Sequence, residues 1–505
     1  MTIFKDHDVS SALDIPLYQQ LYTHIRTAIL GGDLKRGMKL PSTRALADQL
    51  NVSRNTVLNA YQQLMVEGYL DSMVGNGTFV ARVLPDQLFT PPGTKDLTST
   101  LTNELQQRLV SDHTKLQLAT AQLGDLLPGP LGASPRPFRF GIPALQAFPY
   151  KLWSRLLVRR ARNMPINVFT YQNRTGYRPL REAIAAHIKV SRRVQCTPDQ
   201  IIIVPGAQEG LDLAARLLIN EGDSVWMEDP GYIQARGAFL GSGADIIPVP
   251  VDQEGLIVET GIARAPQARL AYVTPSHQFP LGVTMSLPRR LALLDWAKHA
   301  HAYILEDDYD SEYHFTRRPL PALQGLDDAG RVIYVGTFSK MLFPALGVGY
   351  LILPQPLVRA AQRVLAFINI HPPILEQMVL TDFITEGHLS RHLRRMRKLY
   401  AERRAVLLEA AQELPLEIHP PESGIHCVGW LPDGMDDLSL AREATAHGIN
   451  LIPVSSFSIE PMARKGIMLG YGEYSVDQIK DGIGRLAAAM RALSRQGVES
   501  AKMAP

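Results

Sequence analysis

A single lysine, Lys340, follows the apolar run VIYV at 332–335 and begins the segment KMLFPALGVGY. An amine that is partly withdrawn from water loses basicity, and the neutral amine can condense with an aldehyde to a Schiff base. Such chemistry also requires groups that hold the aldehyde-bearing molecule in place. The residues that follow the other apolar runs are therefore the next candidates.

Acidic and aromatic residues near two other segments suit an aldehyde carried on a pyridine ring. Asp307, after the run AYIL at 302–305, could pair with a protonated ring nitrogen, and Tyr309 could hydrogen-bond to a phenolic oxygen on the same ring. Tyr232, in the segment EDPGY, could stack on the ring face. A Schiff-base lysine beside such groups is what pyridoxal phosphate (PLP) requires of a protein.

The phosphate of PLP would need an anion site, and the sequence offers one. Ala207 and Gln208 follow the run IIIV at 201–204 and open a helical pattern. The free amides at a helix N-terminus attract anions. Thr337 and Ser339 add two hydroxyl groups close to the lysine.

The elements that would position these residues are predicted from five apolar runs that alternate with helical patterns. The runs are IIIV, SVWM, LAYV, AYIL and VIYV. This alternation predicts an α/β fold with a mainly parallel sheet, in which ligands bind beyond the carboxyl ends of the strands. His277 and Gln278, in TPSHQ after LAYV, follow a strand in the same way and are further candidates for cofactor contacts.

The first 82 residues predict a separate DNA-binding domain. Three helical patterns, the last two joined by the short turn NVS, are followed by two short β runs around a Gly-Asn-Gly turn, as in a winged helix-turn-helix. The start of the third helix would present side chains to base edges in the major groove. The DNA-binding candidates are Ser42, Thr43, Arg44, Ser53, Arg54, Asn55, Thr56, Gly75 and Gly77.

Composition sets limits on the rest of the chain. The 505 residues carry a net charge of +3, and the two cysteines have no zinc-type spacing, so we expect no metal site. No signal peptide or membrane-spanning run is visible, and we expect a cytoplasmic protein. We predict a linker at 83–136 between residues 1–82 and a body at 137–505, with a smaller C-terminal α+β subdomain from about residue 372.

Two families resemble this chain. The segment LPSTRALADQLNVSRNTVLNAYQQLMVEGYLDSMVGNGTFVA resembles the winged helix of GntR-type regulators. The order of VPGAQEGLDLAARLL, MEDPGY, TPSHQFPLGVTMS, ILEDDYDSEYHF and YVGTFSKMLFPAL resembles the MocR subfamily. In that subfamily the winged helix is fused to a PLP-dependent, fold-type I aminotransferase-like domain. With the N-terminal segment, these matches cover most of the chain apart from the linker.

The resemblance implies roles for the candidates. Lys340 would be the internal-aldimine lysine, with Asp307 at the ring nitrogen, Tyr309 at the phenolic oxygen and Tyr232 stacked on the ring. In the winged helix, the residues from Ser42 to Arg44 would meet the phosphate backbone, those from Arg54 to Thr56 the bases, and the Gly75–Gly77 wing the minor groove. The resemblance also implies a head-to-tail homodimer.

Two stretches depart from the family pattern or do not align clearly. Gly347 stands where the family commonly has an arginine that binds the cofactor phosphate. Three alternatives stay open: another residue supplies the charge, PLP affinity is reduced, or the pocket accepts a different ligand. Near the C-terminus, Arg464 and Lys465 are candidates for binding an effector carboxylate, and they are equally well read as solvated surface cations.

The sequence therefore predicts a PLP-dependent, sequence-specific transcriptional regulator that responds to an amine or amino-acid effector or to PLP itself. Its aminotransferase-like domain would act as a sensor. Two alternatives stay open: a working aminotransferase that carries a DNA-binding appendage, and a regulator whose body no longer binds PLP.

Overall fold

The computed structural model describes residues 15–73, 77–84, 136–315, 321–368 and 373–503. Gly75, residue 372 and most of the predicted linker lie outside these ranges. By its internal contacts the chain divides into two compact units, Met1–Leu109 and Val110–Pro505. Each unit is described by itself.

The N-terminal unit holds three helices and a two-stranded antiparallel sheet. They are α1 (Leu17–Leu30), α2 (Thr43–Leu50), α3 (Arg54–Val66), β1 (Leu70–Met73) and β2 (Gly77–Val80). Ile25, Leu46, Val57 and Tyr61 form its buried core. Asn51 ends α2 in the left-handed conformation, at φ 52°, which turns the chain sharply into α3. The predicted winged helix is confirmed.

An eight-stranded sheet forms the centre of the second unit. Its strands are β3 (Ile201–Val204), β4 (Ser224–Asp229), β5 (Asp245–Asp252), β6 (Gly255–Leu256), β7 (Leu270–Val273), β8 (Tyr303–Asp308), β9 (Val332–Thr337) and β10 (Gly349–Ile352). Their spatial order is β3-β10-β9-β8-β7-β4-β5-β6. The pairs from β5 through β4, β7 and β8 to β9 are parallel, while β10 and β6 run antiparallel to their neighbours.

Helices cover this sheet and build the C-terminal part of the unit. They are α4 (Tyr150–Arg162), α5 (Arg178–Ser191), α6 (Ala207–Leu218), α7 (Ile233–Gly241), α8 (Val258–Arg264), α9 (Leu287–His299), α10 (Gln355–Val364), α11 (Ile374–Thr385), α12 (His388–Ala410), α13 (Asp437–Ala446) and α14 (Val476–Met503). Strands β3 and β7 are buried along their whole length. Burial of this kind explains why these strands are continuous apolar runs.

The C-terminal part carries a second, smaller sheet. Its four antiparallel strands, in the order β11-β12-β14-β13, are β11 (Glu417–Ile418), β12 (His426–Trp430), β13 (Ile452–Pro453) and β14 (Gly466–Gly470). Together with the parallel main sheet it confirms the predicted fold class. Across the described ranges, none of the helices has both the length and the apolar character needed to cross a membrane.

Candidate functional site

A cavity of about 440 Å³ lies at the carboxyl ends of the central strands. Eight of the ten predicted cofactor residues line it. They are Ala207, Gln208, Tyr232, Asp307, Tyr309, Thr337, Ser339 and Lys340. Strands β8 and β9 continue two or three residues beyond the predicted apolar runs, so Asp307 and Thr337 belong to the strands themselves. Position in a hydrogen-bonded strand fixes both side chains toward the cavity.

Lys340 follows β9 in a turn that other parts of the chain hold in place. Its Nζ atom donates a hydrogen bond to the carbonyl oxygen of Gly141 at 2.6 Å. The Tyr313 hydroxyl donates to the Lys340 carbonyl oxygen at 2.9 Å. Withdrawal from water lowers the pKa of the Lys340 amine, although the nearby carboxylates of Asp310 and Asp307 oppose this shift. A lowered pKa increases the neutral, nucleophilic fraction of the amine.

Asp307 is the acid of the cavity and is only 4% exposed. Its Oδ2 atom accepts a hydrogen bond from the Tyr272 hydroxyl at 2.8 Å, whereas Oδ1 is buried with no hydrogen-bond partner among the described residues. Burial raises the pKa of this carboxyl to about 7, against the lowering effect of the Tyr272 hydrogen bond. An unpartnered buried oxygen is costly, and a protonated ring nitrogen would satisfy it.

One end of the cavity lies at the start of α6, and we call it the anion end because the predicted phosphate site is there. Gly206 precedes this 12-residue helix, and Gly206, Ala207, Gln208 and Glu209 line the cavity. Thr337 lines the same cavity, and its hydroxyl oxygen accepts a hydrogen bond from the backbone N–H of Ser339 at 3.1 Å. Helix amides and hydroxyl groups are suitable partners for a phosphate.

Gly347 lies close to this anion end and supplies no charge. A Cβ atom placed on it would lie 3.4 Å from the carbonyl oxygen of Pro205, the residue before Gly206. The glycine has a left-handed φ of 57°, which disfavours a side chain. Among the described lining residues Lys340 is the only lysine or arginine. The cavity therefore fits the aldehyde and the ring of PLP, and it offers the phosphate amides and hydroxyls rather than a guanidinium.

Aromatic residues form much of the remaining wall. Phe279 lies at its centre, with ring centroids 5.5 Å from Phe140, 5.0 Å from Phe457 and 5.3 Å from Tyr232. The Tyr232 ring packs edge-on against Phe279, and its hydroxyl donates to the side-chain oxygen of Gln234. These rings keep water away from one side of the cavity, which strengthens the electrostatic interactions inside it.

His277 and Gln278 are not among the described residues that line the cavity, and their expected role as cofactor contacts stays a prediction. Both are buried behind the wall. The Gln278 amide donates to the carbonyl oxygens of Pro230 and Phe279 at 2.9 and 2.7 Å and so fixes the loop that carries Phe279. The sequence could not show that the Gln278 amide bonds to backbone carbonyl oxygens, or that Nδ1 of His277 lies beside the side chains of Asp310 and Tyr309.

A buried hydrogen-bonded group connects His277 to the cavity. Its Nδ1 atom lies 2.9 Å from an Asp310 carboxylate oxygen and 3.1 Å from the Tyr309 hydroxyl. His277, Asp310 and His426 each offer one potential metal ligand, all within 4.8 Å of one another. However, the Asp310 contact uses Nδ1 of His277, and Nε2 of His426 lies 3.2 Å from the Pro280 carbonyl oxygen. These contacts therefore indicate a hydrogen-bonded network around His277 that orients Tyr309, rather than a metal centre.

Tyr272, Thr274 and Glu228 are site residues that the sequence analysis missed. Tyr272 and Thr274 line the cavity, and the Thr274 hydroxyl donates to Glu228 at 2.6 Å. Burial raises the pKa of Glu228 to about 7. Tyr272 lies inside the apolar run LAYV and had no signal, whereas Thr274 directly follows LAYV and Glu228 directly follows SVWM, so both had an end-of-strand position as a signal.

Arg464 and Lys465 are not among the described residues that line the cavity either, and binding of an effector carboxylate by them stays a prediction. The Arg464 guanidinium donates to the Glu417 carboxylate and lies 5.0 Å from the centre of the Trp430 ring. These contacts hold it on the exposed side of the smaller sheet. The reading of Arg464 as a surface cation fits this arrangement.

The N-terminal unit exposes the predicted base-reading residues at the start of α3. Ser53 caps this helix by accepting a hydrogen bond from the Thr56 N–H at 3.1 Å. Arg54 and Asn55 are exposed, while Thr56 is half-buried and its hydroxyl bonds that of Ser53 at 2.8 Å. Ser53 and Thr56 therefore have structural roles at the helix start.

The predicted backbone-contact residues lie at the start of α2. Ser42 caps α2 through the Ala45 N–H at 3.2 Å, and Ser42 and Arg44 are exposed. Gly77 begins β2 at φ 105°, and a Cβ placed on it would lie 2.9 Å from Cε of Lys39. Lys39, which the sequence analysis did not single out, therefore places a cation at the wing.

Comparisons with known proteins agree with both units. Residues 155–468 match the aminotransferase class I and II family, and residues 17–80 match the gntR family of bacterial regulatory proteins. The chain is 39% identical, over 96% of both chains, to the probable rhizopine catabolism regulatory protein MocR of Rhizobium meliloti. It is 32% identical to the pyridoxine biosynthesis transcriptional regulator PdxR of Corynebacterium glutamicum, over 91% of this chain and 93% of that one.

Enzymes match a smaller share of the chain than these regulators do. The 2-aminoadipate transaminase of Thermus thermophilus is 31% identical over 70% of this chain and 90% of its own length. The crystal structure of the kynurenine aminotransferase of Pyrococcus horikoshii, solved in complex with PMP, superposes with a TM-score of 0.68. That match has 26% identity and covers 79% of this chain and 98% of the enzyme.

Proposed function

Since the chain belongs to the MocR subfamily of GntR-type transcriptional regulators, we propose that it is a PLP-dependent regulator that binds specific DNA sites. In this proposal the aminotransferase-like unit acts as a sensor of an amine or amino-acid effector, or of PLP itself. The winged helix supplies the DNA-binding surface. The observation that carries the proposal is that Lys340 and Asp307 line one cavity, and that Asp307 has a buried carboxylate oxygen with no hydrogen-bond partner among the described residues.

The residues of the cavity would divide the binding of PLP among them. When bound, PLP supplies an aldehyde that reacts with amines and a ring that accepts electrons. Lys340 would hold the aldehyde carbon, and Asp307 would keep the ring nitrogen protonated. Tyr309 would reach the phenolic oxygen, and Thr337, Ser339 and the start of α6 would hold the phosphate; Tyr232 would contact the ring.

DNA binding would follow the usual geometry of a winged helix. Arg54 and Asn55 would contact base edges, with Thr56 close to them, while Ser42, Thr43 and Arg44 would meet backbone phosphates. Gly77 and Lys39 would bring the wing to the adjacent groove. A homodimer would present two such surfaces to a paired site.

An effector can change DNA binding only if it binds one arrangement of the dimer better than another. The family resemblance supports a head-to-tail dimer, in which the winged helix of one protomer lies over the body of its partner. An amine effector that binds in the cavity beside Lys340 would then act on the same dimer that holds the DNA.

Absorbance tests the cofactor part of this proposal. Addition of PLP to the purified protein should produce the absorbance band of a Schiff base. Borohydride reduction should remove this band and leave the cofactor covalently attached to Lys340. In Lys340→Ala the band should be absent, because no amine is left at that position. Selection of DNA sites from a random-sequence duplex pool should recover the same sites with both proteins, because the DNA-binding residues lie in the other unit. An unchanged band in Lys340→Ala would show that PLP binds elsewhere.

A second candidate function is a working aminotransferase that carries a DNA-binding unit. The identity to the 2-aminoadipate transaminase favours keeping this candidate, because the lysine and the acid of the cavity would serve both functions. Multiple-turnover assays with a panel of amino acids and 2-oxo acids separate the two. Sustained product formation would favour the enzyme, and spectral change without product would favour the sensor.

A third candidate is a regulator that no longer binds PLP, which the glycine at 347 supports. A protein that remains without an absorbance band at saturating PLP, and whose lysine is not modified on reduction, would establish this candidate. The effector would then have to be sought by DNA-binding assays with the amines alone.

A further inference from the structure

A carboxylate lies at the anion end of the cavity, where a phosphate would bind. Glu209 is the third residue of α6 and lines the cavity with Gly206, Ala207 and Gln208. Its Oε2 atom lies 3.3 Å from the point where a Cβ on Gly206 would be. The side chain thus folds back over the first turn of the helix, where an acid interacts favourably with the free amides.

The rest of the cavity does little to balance this charge. Glu209, Asp307 and Asp310 line it, and Lys340 is the only lysine or arginine among the described lining residues. Burial and the nearby His277 ring lower the pKa of His426 well below its usual value, so this ring is neutral at pH 7. The Lys340 amine would be bound to the aldehyde of the ligand, so it is not free to balance the charge of Glu209.

A phosphate at the start of α6 would therefore lie close to the Glu209 carboxylate. A phosphate that arrives must displace the carboxylate or lie close to it, and like charges a few ångströms apart repel. Glu209 is exposed, so it can turn toward solvent, and water and salt screen the repulsion. The expected effect is thus a moderate loss of affinity rather than exclusion of the phosphate.

We propose that Glu209 sets the affinity of the cavity for the phosphate group of its ligand, by holding its own carboxylate at the start of α6. The inference rests on the proposed function, because it assumes an aldehyde ligand on Lys340. It assigns Glu209 as a specificity-determining residue. PLP occupancy then follows the free PLP concentration, and the protein discriminates only modestly between PLP and an aldehyde without phosphate.

The test compares two aldehydes that differ only in the phosphate. The dissociation constants of PLP and of pyridoxal are measured by absorbance titration of the full-length protein at low salt. The ratio of the pyridoxal constant to the PLP constant removes any general effect on Lys340. Glu209→Gln should raise this ratio about three- to tenfold, through tighter PLP binding with pyridoxal unchanged.

The matched control is Glu259→Gln, which neutralises another exposed glutamate in the first turn of a helix, α8, away from the cavity. This variant should leave the ratio unchanged. In 0.5 M salt the effect of Glu209→Gln should shrink, because screening weakens interactions between exposed charges.

The outcomes separate this inference from the function on which it rests. Binding of both aldehydes with the same ratio in the wild type and in Glu209→Gln would overturn the role of Glu209 alone. Failure of the wild-type protein to bind either aldehyde would overturn both the proposed function and the role of Glu209. An equal change in the Glu259→Gln control would show a general charge effect and would also overturn the inference.

Discussion

At the scale of single residues, the cavity contains a buried carboxyl group whose ionised form is unfavourable until a ligand supplies a cationic partner. Asp307 is buried, holds one hydrogen bond from Tyr272 and leaves its other oxygen without a partner in the described structure. Burial raises the pKa of this carboxyl to about 7. In the absence of a cationic partner, the folded protein therefore holds a proton on Asp307 that the unfolded chain releases at a lower pH.

The stability of the cofactor-free protein should consequently depend on pH through Asp307. Between the unfolded pKa of about 4 and the folded pKa of about 7, the folded state binds more protons, so this residue lowers stability as the pH rises. Asp307→Asn removes this pH-dependent loss of stability, because an amide does not titrate. Its stability relative to the wild type should increase from pH 5 to pH 8, by on the order of 1–4 kcal/mol.

Thermal or urea unfolding of both proteins at pH 5, 6, 7 and 8 measures this difference. Asp477→Asn, which changes an exposed acid in the first turn of α14, is the control and should show no such trend. With PLP present, Asp307→Asn should instead bind the cofactor more weakly, because the partner of the protonated ring nitrogen is gone. A pH-independent stability difference would show that Asp307 is ionised and solvated in the folded protein.

Sequence reasoning at this scale worked where chemistry and position agreed. Lys340 and Asp307 stood out because a charged residue at the end of an apolar run has few structural reasons to be there. Tyr272 could not be found, because an aromatic residue inside an apolar strand looks like core. For His277 and Gln278 the sequence predicts direct contacts with the cofactor. Their hydrogen bonds to Asp310 and to distant backbone could not be predicted, because these bonds depend on tertiary structure.

At the scale of elements, the caps of α2 and α3 fix the DNA-reading surface. Ser42 and Ser53 each accept a backbone N–H at the start of their helices. Both caps have a local signal in the sequence, because Ser before an apolar-periodic segment favours a helix start. The antiparallel strand β10 was not predicted, since a short apolar run after a glycine-rich turn carries no information about its direction.

Arg54 at the start of α3 should control sequence preference. Arg54→Ala should weaken binding to a selected duplex by about 1–3 kcal/mol if it makes a bidentate base contact, with a smaller loss on unrelated DNA. Arg54→Lys is the matched variant: it keeps the charge and loses the fork geometry, so it should relax the preference while retaining the salt dependence. Fluorescence anisotropy over a salt series measures both effects. Equal losses on selected and unrelated DNA would place Arg54 on the phosphate backbone.

At the scale of the whole molecule, a run of exposed apolar side chains points to self-association. Ile166 is 84% exposed, Phe169 70%, and Tyr171 is fully exposed. Three large apolar residues in six positions are unusual on a monomer surface and are typical of an interface. The length of the chain and its alternating pattern predicted the α/β body, but the sequence alone could not show which apolar residues would remain uncovered.

The double variant Phe169→Ser, Tyr171→Ser should therefore weaken a homodimer. Sedimentation velocity at several concentrations should show a dimer for the wild type and a shift toward monomer for the variant, because the apolar area buried at the interface is reduced. Val190→Ser, at a position that is 86% exposed elsewhere on the same unit, is the control and should remain dimeric. A fully dimeric double variant would place the interface on another surface.

Strand β10 has a consequence for what the cavity can accept. It lies between β3 and β9, pairing Gly349 with Val204 on one side and with Thr337 on the other. A Cβ on Gly349 would come within 2.8 Å of the Gly206 carbonyl carbon, so the turn that bears the amine and the start of α6 are fastened side by side. Lys340 and the start of α6 are therefore held at one separation, and a ligand that contacts both must match this distance.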